Sequence, residues 1–480
     1  MFNRLKKIEM PHVFTLLTYV IFFCVLLTYI IPSGSYERGE KEISGRTRTV
    51  VIPGTYQNVE KEITLKGIAF GDDKEGKASP AGFLDFLTAI PRGLEDSADI
   101  IFFIFILGGV FGILNKTGII IALLQTLMNL FKNAPGLLTF FVMAAVAIGG
   151  STLGMGEEFI PLVPIFVILA TRMGYDPIYG LCMVMLAADI GFASATFNPF
   201  TVGIASGIAE VTLGGDIFFR ISFLVITFTV SFIYVLRYGA IIKKDPSKSL
   251  VPNVEPVTHI GMDTKVVIDK RFIAIFISGL IIFGFIIFAT VSLGWWFNEM
   301  AGGFFLIGLL ALIFSKLTIK EASQAFVKGM EEMVVAALVV GFARGIIMVM
   351  NDGQILDSFI HSAANMLENF HNVIAVQGML IFQSTLNFFI PSGSGQAAVT
   401  MPLMAPLSDV LGISRTTAVF AFTCGDGFSN ILIPTSGVLM AMLSLAKVPY
   451  QKWLRFILPL FFILMFISAI FLIISVMIHT

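Results

Sequence analysis

The chain has 480 residues, 56% of them hydrophobic and only 13% charged, with a mean hydropathy of +0.89. Soluble domains carry about 25% charged residues, so a soluble globular fold is excluded. A formal net charge of −1 leaves no global basic field for nucleic acid, and Cys24, Cys182 and Cys424 lie in apolar runs without metal or disulfide spacing.

Arg4, Lys6 and Lys7 precede an apolar run from His12 to Ile31 that is long enough to span a bilayer. The run ends in Pro-Ser-Gly-Ser without a small-residue cleavage site, so it reads as a retained first helix with a cytoplasmic N-terminus. Residues 32–80 are polar, and the runs Thr49–Ile52 and Glu62–Leu65 with the Pro53-Gly54 turn predict a small hairpin region outside the membrane. It is expected to be a solvated, exposed cap. Pro80–Leu94 puts Phe83, Leu84, Phe86, Leu87 and Ile90 on one helical face, suited to the membrane surface.

Residues 99–131 are almost wholly apolar, and as one straight helix they would reach roughly 50 Å, against a hydrocarbon core of about 30 Å. A bend near Asn115–Gly118 is therefore expected. A short apolar run, 137–150, leads into GGSTLGMGEE (149–158), then a segment 178–210 with Asp189, Asn198 and Pro199, then a span at 217–236. The basic residues of 237–271 mark a cytoplasmic loop. Spans at 272–291 and 300–315 flank Trp295-Trp296-Phe297, which reads as an interfacial aromatic belt, and Lys316, Lys320 and Lys328 mark the cytoplasm again.

The second half restates the first at an offset of 233–239 residues. Arg92-Gly93-Leu94-Glu95 answers to Lys328-Gly329-Met330-Glu331, Gly112-Ile113 with Gly118 to Gly345-Ile346 with Gly353, Gly156 to Gly395, Gly191-Phe192 to Gly427-Phe428, Pro199 to Pro434 and Arg220 to Arg455. The first unit begins outside the membrane and the second inside, so the two are inverted and the C-terminus falls outside. Inverted repeats with discontinuous helices are an architecture of secondary transporters, with the site at the repeat interface.

Each half carries two polar breaks, which lipid tolerates only where protein or a wet cavity surrounds them. The first pair is GGSTLGMGEE and PSGSGQ (391–396). A glycine-rich turn before a new helix offers N–H groups and a positive dipole end to a carboxylate, or it is a plain loop tip. The second pair is ADIGFASATFNPFT (188–201) and GDGFSNILIPTSG (425–437). Asp189 and Asp426 lie there in apolar surroundings, as ion-coupling acids or as buried acids held by backbone donors. Asn198, Ser429, Asn430, Thr435 and Ser436 supply oxygens suited to Na⁺ or an α-amino group. Glu157 and Glu158 could complement a cationic solute, carry protons or face water. Arg344 stands where the first half has Phe111; it either clamps a substrate carboxylate or neutralises Asp426 or Glu157. No P-loop, HExxH or GxSxG occurs, and His361 and His371 are placed in a wet loop; ATP-driven transport and hydrolysis lose ground, and the chain reads as no enzyme.

YIIPSGSYER (29–38), VVIPGTY (50–56), ARGI with NDG (343–353), NFFIPSGSGQAAVTMPLMAPLSDVLGISR (387–415) and FTCGDGFSNILIPTSG (422–437) resemble the YfcC-type branch of the anaerobic C4-dicarboxylate carrier (DcuC-type) families, within the ion transporter superfamily. The likeness runs over essentially the whole chain. It implies an all-α polytopic membrane protein of the bacterial cytoplasmic membrane: an elevator-type carrier in which re-entrant hairpins and unwound helices carry the solute against a scaffold that dimerises. By motif, Ser392, Gly393, Ser394, Gly395 and Gln396 and the segment Asp426–Thr435 become site residues. The branch is associated with arginine/ornithine antiport, the wider family with dicarboxylates. Four embedded acids (Glu157, Glu158, Asp189, Asp426) against Arg344 favour a basic amino acid, moved by exchange or with Na⁺ or H⁺ coupling and without a cofactor. A Na⁺- or H⁺-coupled carrier of C4-dicarboxylates or short-chain carboxylates is the alternative, and a channel ranks below both. The expected organisation is a first helix and polar loop (1–80), repeat one (81–240), a cytoplasmic linker (241–271), scaffold helices (272–315) and repeat two (316–480).

Overall fold

The computed structural model describes residues 12–43, 46–71, 76–252 and 269–479. Helix α1 (Val13–Ile30) leads into two antiparallel pairs, β1 (Ser33–Ser35) with β4 (Gln57–Val59) and β2 (Arg38–Ile43) with β3 (Arg46–Val51), in the register Arg38↔Val51. A short α2 (Leu65–Phe70) closes the region. The strand expected at Glu62–Leu65 is absent, because Thr64 Oγ1 accepts the Gly67 N–H and starts α2 instead.

This cap is docked rather than freely solvated, because its polar groups find partners in elements far along the chain. The Tyr36 N–H and Arg38 both donate to Asp357 at 3.0 Å, and Lys41 pairs with Glu210 at 3.0 Å. Its hairpin lies on the helices that carry Gly207 and the 393–410 segment.

Next come α3 (Phe83–Asp96) and α4 (Ala98–Thr117), with the expected break at Gly118, whose φ of 85° ends α4 before α5 (Ile119–Leu130). Helix α6 (Pro135–Leu153) runs past the expected end at 150, since Gly149, Gly150 and Ser151 are helical and the turn starts only at Gly154, φ 70°. Gly150 instead serves packing: a Cβ there would lie 2.5 Å from the Ala188 carbonyl oxygen. A 3₁₀ segment, Glu157–Leu162, then feeds α7 (Val163–Arg172).

Helix α8 (Pro177–Leu181) continues through a π segment, Cys182–Leu186, into α9 (Ala187–Ala193), and the chain is irregular until α10 (Val202–Ala209). Helix α11 (Ile217–Lys244) is longer than the 217–236 span expected, so the polar stretch from 237 begins as helix. Much of the expected cytoplasmic loop, including Lys265, lies outside the described residues. Helices α12 (Lys270–Ser292), α13 (Phe297–Phe314), α14 (Ile319–Glu332) and α15 (Val334–Asp352) follow. Then come α16 (Leu356–Glu368), α17 (Asn372–Asn387), α18 (Gly393–Val410), α19 (Arg415–Ser429), α20 (Gly437–Leu445) and α21 (Tyr450–His479). His361 is helical, in α16, and not in a loop: its Nδ1 is 2.8 Å from the Tyr36 hydroxyl and its ring stacks on Tyr56.

Among the described residues, eight helices (α1, α4, α6, α11, α12, α13, α15 and α21) are long and apolar enough to cross a membrane. Helix α3 packs on α15 and α4 on α14, through glycines that let the backbones touch. Helix α6 packs on α9, α17 on α19, and α9 meets α19 at the centre.

Candidate functional site

The irregular tips converge. Gly154 and Gly156, Glu157 and Glu158, Pro391–Ser394, Asn430 and Ser436–Val438 line one cavity of ≈ 290 Å³ with Asp189 of α9. Its other wall is Asp96, Ser97, Asp99 and Ile100 at the α3–α4 corner, Val340, Ala343, Arg344 and Ile347 of α15, and Trp296. The tips reach this depth because each is a helix end: Ser392 accepts the Gly395 N–H at 3.4 Å as the cap of α18, and Gly156 donates to Glu158 at 2.9 Å.

Of the residues expected in the site, Glu157, Glu158, Asp189, Arg344, Ser392, Gly393, Ser394 and Asn430 line the cavity. The others do not line it, and all of them but the half-buried Gly395 are buried. The Asn198 carboxamide oxygen accepts the Phe200 N–H at 2.8 Å, and Gln396 donates to the Gln383 backbone and side-chain oxygens at 2.9 and 2.7 Å. Ser429 accepts from the Asn387 amide at 2.8 Å and donates to the Gly425 carbonyl at 2.7 Å. Thr435 is wholly buried, and Gly395 sits one turn inside α18. Asp426 is 1% exposed, and neither carboxylate oxygen has a hydrogen-bond partner among the described residues. A Cβ added to Gly393 would lie 3.0 Å from its Oδ2 and 2.6 Å from Thr201 Cγ2, so Asp426 sits directly behind the α18 tip. Buried acids with unpaired oxygens are costly, and the Thr201 hydroxyl beside it also lacks a partner among the described residues.

Arg344 corrects one expectation. Its Nε donates to Asp96, and neither Asp426 nor Glu157 is its partner. Asp96 closes the amphipathic α3 and Asp99 opens α4, and neither stands out in the sequence because acids at helix ends normally face water. The sequence reading assigned Trp296 to a lipid belt. Trp296 lines the cavity, 4.7 Å from the Phe200 ring, with Arg48 of β3 lying 5.7 Å over it. The cap therefore reaches the cavity mouth.

A second, larger cavity of ≈ 600 Å³ is lined by Lys116, Lys328, Lys447, Glu321 and Glu332 and by the far ends of α4 and α20. None of the four polar breaks reaches it, so the smaller cavity is the better candidate site despite its size. Both cavities run along α4, the 157–165 segment, α15 and α20, one on the cap side and one on the lysine side.

Eight potential spans around an acid-lined cavity at broken helix ends define a polytopic membrane protein built to hold a small polar solute. Residues 10–477 match the profile of the DcuC family, described as C4-dicarboxylate anaerobic carrier, and the chain belongs to that family. It is a membrane transporter, not an enzyme. It is 31% identical to an Escherichia coli K12 protein named "Putative basic amino acid antiporter YfcC", over 94% of this chain and 93% of that one. It is 30% identical to a Haemophilus influenzae protein named only as uncharacterized, over 100% and 99%. Among solved structures it is similar to the Alcanivorax borkumensis YdaH transporter (15% identity, TM-score 0.44, 96% of this chain and 98% of that one). It is also similar to Neisseria gonorrhoeae MtrF (17% identity, TM-score 0.44, 98% and 96%).

Proposed function

We propose that the chain is a secondary carrier that moves a small basic amino acid, arginine or ornithine, across the bacterial cytoplasmic membrane by exchange or ion coupling. The observation that carries this reading is the charge of the smaller cavity. Asp99, Glu157, Glu158 and Asp189 line it, and Arg344, the one basic residue among the described residues that line it, is already held by Asp96. A dianion would meet repulsion there, whereas a cationic amino acid relieves it. The name of the Escherichia coli relative points the same way.

The site comprises the cavity-lining residues together with the layer of Asn198, Gly395, Gln396, Ser429 and Thr435 behind them. Asp189 and Asp426 are the ion-coupling acids, for Na⁺ or H⁺. The crosswise packing of α3 on α15 and α4 on α14, and the matching breaks after α9 and α19, support two inverted repeats, 81–240 and 316–480, around scaffold helices 272–315. In that reading the protein works as a homodimeric elevator with its N-terminus in the cytoplasm and its C-terminus outside.

The family description and the α18 tip at Ser392–Ser394 beside Arg344 favour a second reading, a Na⁺- or H⁺-coupled C4-dicarboxylate carrier. Counterflow decides between them. Proteoliposomes preloaded with unlabelled ornithine should accumulate labelled arginine, with malate and butyrate ineffective as competitors. Malate exchange without an arginine signal would establish the dicarboxylate reading instead.

A further inference from the structure

Arg344 and Asp96 form an ion pair within the cavity, with side chains 34% and 40% exposed, so a solute can reach both. Among the described residues lining that cavity no other cation is present, while Asp99 stands three residues from Asp96 on the same wall. We propose that a basic amino acid is selected by an exchange of ion-pair partners: its side-chain cation takes Asp96 from Arg344, and the freed guanidinium binds its α-carboxylate. This rests on the basic amino acid reading above and names how that site would discriminate.

The pair is partly exposed, but a solute that fills the cavity displaces its water, and a charge then left without a partner costs more than the pair itself contributes. A cation without a carboxylate can take Asp96 but leaves Arg344 alone. A carboxylate solute without a side-chain cation can take Arg344, but its single α-ammonium then has to serve both Asp96 and Asp99. Only a solute that carries a carboxylate and a side-chain cation beyond its α-ammonium replaces both partnerships in full, so rejection of the wrong solutes is built in. Arginine suits the resident role better than lysine, because its planar fork can bind a carboxylate bidentately.

The test is inhibition of labelled arginine exchange in proteoliposomes by unlabelled arginine, by agmatine (cation, no carboxylate) and by citrulline (carboxylate, no side-chain cation). Wild type should prefer arginine over either analogue by about tenfold or more, the scale of one lost charge-assisted contact. Arg344→Gln should bring agmatine to within about threefold of arginine, and Asp96→Asn should do the same for citrulline, while Arg344→Lys restores part of the discrimination against agmatine. A purely structural role would weaken all three competitors by one factor; unchanged ratios in both variants would overturn the partner exchange while leaving arginine transport standing. Malate exchange in place of arginine exchange by the wild type would overturn both readings.

Discussion

Asp426 and Arg344 represent two ways a membrane-embedded charge can be held. Arg344 is compensated locally by Asp96, whereas Asp426 is buried behind the α18 tip with neither carboxylate oxygen partnered among the described residues. That difference separates their expected roles. The near-isosteric Asp426→Asn should abolish coupled uptake while leaving insertion and the elution profile of the purified protein unchanged; wild-type uptake by this variant would remove Asp426 from the mechanism. Both residues stood out in the sequence as charges in apolar runs. Asp96 did not, because its significance arises only when α3 is laid against α15, a contact between residues about 250 apart in the chain. Likewise Asn198, Gln396 and Ser429 were recognisable as polar groups at breaks, but whether they face the cavity or lie behind it depends on how the neighbouring helix ends are turned.

Among the elements, the glycines were legible as a pattern and misread in part as breaks. Gly93 lies against Gly341 and Gly345, and Gly329 against Gly108 and Gly112; these close approaches are what let α3 lie on α15 and α14 on α4. A Cβ on Gly329 would lie 2.1 Å from the Gly108 carbonyl oxygen, with backbone on the receiving side. Gly329→Leu should therefore destabilise the purified protein by about 1–3 kcal/mol or more, read as earlier thermal aggregation. Gly302, beside which a Cβ would meet nothing within 4 Å, serves as the control: Gly302→Ala should leave the transition in place. The break at Gly118 and the amphipathic α3 were readable because both follow from local periodicity and length.

The docked cap has a titratable contact of its own. His361 of α16 stacks on Tyr56 and meets the Tyr36 hydroxyl, with Asn365 against its other nitrogen at 2.9 Å. Burial lowers the His361 pKa below its ordinary 6.5, while burial, then Asp357 and Tyr56, push the Tyr36 hydroxyl up to about 12, so Tyr36 stays protonated. A histidine whose folded pKa is depressed stabilises docking above its undocked value, and that contribution is lost as pH falls through the docked one. Protease cleavage within the cap should accordingly speed up between pH 7.5 and about 5, and His361→Gln should flatten that dependence. A steep acid response persisting in His361→Gln would assign it elsewhere.

Across the whole molecule, the fold class was the most legible feature, since hydropathy alone demands a helical membrane protein. The docking of the cap was not, because Lys41 with Glu210 and Tyr36 with Asp357 are pairings no local pattern announces. Sidedness follows from the two-repeat reading: Lys243 at the end of α11 and Met477 at the end of α21 should lie on opposite sides of the membrane. Single cysteines at these positions, in a background lacking the three buried native ones, should react differently with an impermeant reagent in intact cells. Reaction of both, or of neither, would contradict the inverted arrangement.

The central claim is that the acid-lined cavity at the helix tips receives a basic amino acid. Ser394, half-buried on the cavity wall, allows a direct measurement. In the same cysteine-free background, Ser394→Cys would be alkylated in membranes with and without candidate solutes. Arginine and ornithine should slow the reaction at this position in a saturable manner while malate leaves its rate unchanged. Protection by malate with none from arginine would contradict that claim.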